Sequence, residues 1–252
     1  MKKSKKIKIF ITIIFSISII IFSIILYAFR PIQVAEVLEN EKDCVVLIHG
    51  FLRMPSSMEN MAKFLNENGY RTINIDYPSH KYDIDTVADK FLKPAILGYC
   101  PEPDLQIHFV THSLGGLILR HYLKDNQPEN LGKIVMIAPP NKGSELADLL
   151  NENPLGERLL GPILPELTTQ IQNLPSKIDI PKIKIGIIAG TKSINPLADK
   201  IIEGKNDSTV SVESTKLENM TDFIEVESSH TFITDQEEVK NAVLNFFTTE
   251  KF

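Results

Sequence analysis

Ile107-His108-Phe109-Val110-Thr111-His112-Ser113-Leu114-Gly115-Gly116-Leu117-Ile118-Leu119-Arg120 decides the architecture of this chain. An apolar run of strand length ends at a serine, and a helical pattern begins at the next residue, so the backbone must turn sharply at Ser113. Gly115 and Gly116 remove the side chains that would keep the helix away from the strand. A serine at such a turn carries its hydroxyl out of the sheet, and the first helical amide, at Leu114, points to where a negative oxygen would develop beside it.

Outward from this stretch, apolar runs alternate with helical periodicity, which predicts an α/β protein with a mostly parallel sheet. The expected strands are 44–48, 72–76, 107–111, 134–138, 183–189 and 223–226; the expected helices are 57–68, 84–97, 114–124, 144–150 and 236–247. The longest connection, 139–181, contains Pro154, Pro162, Pro165 and Pro175, which resist a long helix. It reads either as a small cap (139–182) over a pocket or as a crossover with irregular ends. The 252 residues, 43% hydrophobic and 23% charged, suffice for one main domain and exclude low-complexity and disordered classes. Met1 to Arg30 holds six basic and no acidic residues; the remainder has 21 basic against 32 acidic side chains, which argues against a nucleic-acid partner.

Thr111-His112-Ser113-Leu114-Gly115 resembles the Gly-x-Ser-x-Gly nucleophile elbow of the alpha/beta-hydrolase superfamily, with threonine in place of the usual first glycine. Val45-Val46-Leu47-Ile48-His49-Gly50-Phe51 is similar to the His-Gly strand of its bacterial lipase-like branch, which includes triacylglycerol lipase-like and GPI inositol-deacylase-like members. Asn74-Ile75-Asp76-Tyr77-Pro78 and Ala138-Pro139-Pro140-Asn141-Lys142-Gly143-Ser144 match scaffold and pocket-rim pieces of that branch. The resemblance runs from Cys44 to about Phe247 and implies a minimal hydrolase fold of six strands, with none before the His-Gly strand.

It further implies a Ser-His-Asp triad in the chain order nucleophile, acid, histidine. Ser113 is the expected nucleophile and His230, just after the last strand, the expected base. His112 adjoins the serine but points to the other face of the strand, while His80, His108 and His121 lie in less suitable places. The segment from Asn206 to Ser214 resembles Asn-Asp-Gly-x-Val-x-x-x-Ser, in which the aspartate is the acid; that makes Asp207 the choice over Asp199 and Asp222, and puts Ser208 where glycine is common. The amides of Phe51 and Leu114 are the implied oxyanion donors, and His49 reads as a structural histidine that holds its loop. Arg120 and Tyr122 read as packing and surface residues. In the superfamily the first and third strands are neighbours, so Cys44 and Cys100 fall at one edge and either form a disulfide or stay as two buried thiols. The implied activity is hydrolysis of carboxylic esters, lipid or acyl esters foremost, with acyl transfer by the same triad and a non-catalytic binding protein as alternatives. No motif calls for a metal or an organic cofactor.

Lys2, Lys3, Lys5, Lys6 and Lys8 precede the uncharged stretch 9–29, whose 21 residues would span about 30 Å as a helix. The run is longer than a secretory signal requires and ends without a good small-x-small site, so an uncleaved transmembrane anchor (1–30), then a linker (31–43), is expected ahead of a cleaved signal. The lysines should remain cytoplasmic. That orientation puts the domain at 44–252 on the periplasmic or extracellular side of a bacterial cytoplasmic membrane.

Overall fold

The computed structural model describes residues 43–152, 156–170 and 183–252. Six strands form one sheet: β1 Cys44–Ile48, β2 Arg71–Ile75, β3 Ile107–His112, β4 Leu131–Ile137, β5 Ile185–Gly190 and β6 Asp222–Val226. Their order is β2-β1-β3-β4-β5-β6, and every neighbouring pair is parallel. The fully apolar runs predict the central strands correctly: β1, β3 and β5 are buried at every position, whereas β2 and β6 lie at the edges and are partly open.

Helices cover both faces. They are α1 Glu59–Glu67, α2 Ile84–Val87, α3 Lys93–Tyr99, α4 Leu114–Asp125, α5 Glu145–Asn151, α6 Gly156–Leu160, α7 Ala198–Ile201, α8 Val212–Thr215 and α9 Glu237–Thr249. Strand alternation divides the core: Val45, Leu47, Val110, Val135, Ile137 and Ile188 meet α1 and α9 through Met61, Leu65, Val239, Val243 and Phe246. The opposite residues, Val46, Ile48, Phe109, Met136 and Ile187, meet α2 and α4 through Val87, Leu114, Leu117 and Ile118.

The expected single helix over 84–97 is instead α2, a π-helical turn Ala88–Leu92, and α3. Pro94 has no N–H to donate and sits just after that turn, where the regular ladder is broken. Arg120 and Tyr122 are both buried, so neither is a surface residue. The Arg120 guanidinium is held by Nη1 donating to Asn141 O (2.9 Å) and Oδ1 (3.0 Å), and desolvation brings its pKa down to about 10.

Cys44 opens β1 and Cys100 follows α3; they form a disulfide with Cα atoms 6.1 Å apart, at the amino edge of the sheet. Within the 139–181 connection, Ile163, Leu164 and Leu167 pack into the core, and Glu166 Oε2 accepts from Ile84 N. Residues 153–155 and 171–182 of this connection, the expected lysine-rich tip and span of 1–30 and linker positions 31–42 lie outside the described residues. Among the described residues no helix is long and apolar enough to cross a membrane.

The chain steps from β1 outward to β2 and then crosses to β3 on the other side of β1. That reversal opens a crevice at the carboxyl ends of β1 and β3, the place where open α/β sheets bind ligands. Phe51 follows β1 and Ser113 follows β3 at this edge.

Candidate active site

Ser113 sits between β3 and α4 with φ 53° and ψ −124°, a conformation that L side chains rarely adopt. Its amide donates to Ile137 O at 2.9 Å, which ties the turn to β4. The glycines explain how the turn closes. A Cβ on Gly115 would lie 2.3 Å from Ile48 O, and one on Gly50 would lie 3.0 Å from Ser113 Cβ, so the loop after β1 packs directly on the elbow. Thr111, in the place of the usual glycine, is accommodated as a fully buried strand residue.

The structure brings Ser113, His230 and Asp207 together from three separate loops. His230 Nε2 is 2.9 Å from Ser113 Oγ, and His230 Nδ1 is 2.7 Å from Asp207 Oδ2. A carboxylate oxygen only accepts, so the Nδ1 proton points to Asp207 and Nε2 faces the serine hydroxyl as acceptor. Asp207 is 1% exposed, and its Oδ1 accepts from the amides of Thr209 (3.0 Å) and Val210 (2.8 Å). Those two amides and the imidazole satisfy a carboxylate that would otherwise be costly to bury. His230 N also donates to Asp207 O at 2.9 Å, which locks the two loops backbone to backbone. Ser208 adopts φ 84°, the region that explains why glycine is common there.

Asp199 accepts from Asn206 Nδ2, and Asp222 accepts from Phe252 N at the amino end of β6. Neither is hydrogen-bonded to His230. Phe51 lies in the turn after β1 and Leu114 opens α4; Leu114 N, as the first helical amide, has no intrahelical acceptor. His49 is buried and stacked on Tyr77, with ring centroids 4.1 Å apart and Nδ1 donating to Gly50 O. Burial lowers its pKa to about 4, which suits a neutral structural group.

Sequence reasoning missed two neighbours of His230. The Ser113 hydroxyl is hydrogen-bonded to His230 and not to His112, but His112 Nε2 is 3.1 Å from His230 O and its ring centroid 4.8 Å from that of His230. Burial, followed by the nearby His230 and Arg53 charges, holds its pKa well below the usual imidazole value. Arg53 Nη2 donates to Thr231 O at 3.0 Å. Strand alternation could say where His112 does not point, but not that a loop from beyond β6 returns over it.

A model of the alpha/beta hydrolase family matches residues 45–182, more than half of the chain. The chain belongs to that family. Among solved structures, this alpha/beta hydrolase is similar to the Bacillus licheniformis lipase BlEst2 in its propeptide form (22% identity, TM-score 0.69), covering 86% of this chain but only 52% of that one. Against the mature form the values are 20% and 0.65, covering 87% of this chain and 96% of that one. A metagenomic carboxyl esterase, MGS0156, gives 17% and 0.60, covering 80% and 68%. At such identities the likeness speaks for the fold. No curated protein sequence matches this hydrolase.

Proposed function

We propose that the chain is a serine hydrolase that cleaves carboxylic esters through an acyl-enzyme. The observation that carries this reading is the continuous hydrogen-bond line from Asp207 Oδ2 through the His230 ring to Ser113 Oγ. In the proposed sequence, His230 Nε2 takes the hydroxyl proton as Ser113 Oγ attacks the ester carbonyl, while Asp207 stabilises the imidazolium. The amides of Phe51 and Leu114 receive the oxyanion. The protonated His230 then gives its proton to the departing alkoxide, leaving the acyl group on Ser113. Water, deprotonated by the same ring, releases the acid.

Apolar acyl groups are the proposed substrates. The loops and short helices that follow the strands at the site's edge expose Leu52, Ile194, Leu197 and Phe232, large side chains normally withdrawn from water. The carboxyl esterase and lipase names of the structural relatives agree with this substrate class. Resident transfer to an alcohol acceptor would use the same acyl-enzyme and differ only in what attacks it. We also propose that the stretch 9–29 tethers the domain to a bacterial cytoplasmic membrane with the active site outside, which is consistent with the Cys44–Cys100 disulfide.

A fluorophosphonate probe should label the full chain and not Ser113→Ala, and p-nitrophenyl esters of rising chain length should be turned over by the former alone. Equal labelling of both would remove Ser113 as nucleophile. For the tether, mass spectrometry of the mature membrane-bound protein should recover the lysine-rich N-terminal peptide.

A further inference from the structure

The turn that carries His230 presents two consecutive carbonyls, and each is held by a side chain from a different part of the site. His230 O meets His112 Nε2 at 3.1 Å, and Thr231 O accepts from Arg53 Nη2 at 3.0 Å. His112 immediately precedes Ser113 on β3; Arg53 lies two residues beyond Phe51. A carbonyl oxygen cannot donate, so the His112 proton resides on Nε2 and its Nδ1 carries the lone pair. That Nδ1 is buried and faces the main chain of Gly50, where a Cβ would come within 3.0 Å of it. The His112 ring therefore fills the space between the loop that bears Phe51 and the turn that bears His230.

We infer that His112 and Arg53 are positioning residues, which clamp the base-bearing turn to the nucleophile strand and the oxyanion loop so that His230 Nε2 stays in line with Ser113 Oγ. The inference rests on the serine-hydrolase reading above. Its physical basis is that His230 follows the edge strand β6 in a loop, whereas Ser113 is fixed by the centre of the sheet. The backbone bond from His230 N to Asp207 O holds the turn on its acid side alone. The clamp supplies the opposing restraint on the serine side. Neither residue touches the reacting atoms, so the effect belongs to the chemical step and not to substrate affinity.

The test is steady-state kinetics on the full chain carrying His112→Phe, His112→Gln and Arg53→Met. Phenylalanine keeps a flat ring but has no donor; glutamine places an amide N–H near the former Nε2. For His112→Phe, kcat should fall on the order of 10- to 100-fold with KM within about twofold, and His112→Gln should recover most of the loss. Arg53→Met, at a half-buried position, should lower kcat by about threefold to tenfold with the melting temperature little changed. Retention of full kcat by both His112→Phe and Arg53→Met would overturn the clamp. So would equal losses in the phenylalanine and glutamine variants tracking a common loss of thermal stability, because that pattern is ring packing alone. If wild type is not labelled by fluorophosphonate, the hydrolase reading itself fails; if it is labelled and the variants match it, only the clamp does.

Discussion

Ser208 shows how a single residue can hold a strained conformation in exchange for contacts. Its φ of 84° favours glycine, yet its hydroxyl accepts from Ile194 N at 2.7 Å and lies 3.2 Å from Ser193 Oγ, tying the acid loop to the segment after β5. Ser208→Ala keeps the strain and loses both contacts; Ser208→Gly loses the same contacts and relieves the strain. Urea denaturation should therefore rank the glycine variant above the alanine variant by about 1 kcal/mol, and the reverse order would show that φ is not the constraint. At the neighbouring Asp207, an asparagine substitution that keeps its oxygen on the Thr209 and Val210 amides turns its NH2, a donor, toward His230 Nδ1. On the order of 10³- to 10⁴-fold loss of kcat is expected, with an unchanged circular dichroism spectrum.

Between elements, the decisive contact is α4 against the end of β1. Because a Cβ at Gly115 would meet Ile48 O at 2.3 Å and His49 O at 2.9 Å, Gly115→Ala must push the helix off the strand and carry the Leu114 amide with it. Destabilisation of about 1–3 kcal/mol and a slower fluorophosphonate labelling rate should appear together. The disulfide acts at the other edge of the sheet. It closes a loop with a sequence separation of 56 residues, and Cys100→Ser should lower stability by about 2–5 kcal/mol while leaving kcat unchanged below the melting transition. A change in kcat would mean that the amino edge communicates with the site.

At the scale of the whole molecule, three buried imidazoles set a dependence of stability on pH. Desolvation lowers the pKa of His49 from 6.5 to about 4 and also lowers those of His108 and His112. The unfolded chain binds these protons near pH 6.5 and the folded chain only at lower pH, so stability is complete above that value and declines as pH falls below it. His49 alone accounts for about 2 kcal/mol of loss by pH 5. Glu166, pushed up by burial, opposes the trend over part of the same range. Urea titrations at pH 7.5 and pH 5 should give the lower unfolding free energy at pH 5; equal values would contradict the neutral burial of these rings.

The six strands, the sharp turn at Ser113 and the close approach of the helix at Gly115 were legible in the sequence, because strand runs, helical periodicity and glycine placement are local consequences of backbone sterics. The meeting of Ser113, Asp207 and His230 was legible through the resemblance, since their order along the chain fixes which loops can come together. The interruption of the 84–97 helix, the burial of Arg120 and the hold of His112 and Arg53 on the base-bearing turn were not. The helix interruption is a local effect at Pro94 that periodicity does not register, whereas the other two depend on partners that arrive from 21 to 178 residues away along the chain. One-dimensional patterns determine which face a residue takes; only the assembled sheet, by bringing β1 and β3 together and returning the loop after β6 across them, decided what that face would touch.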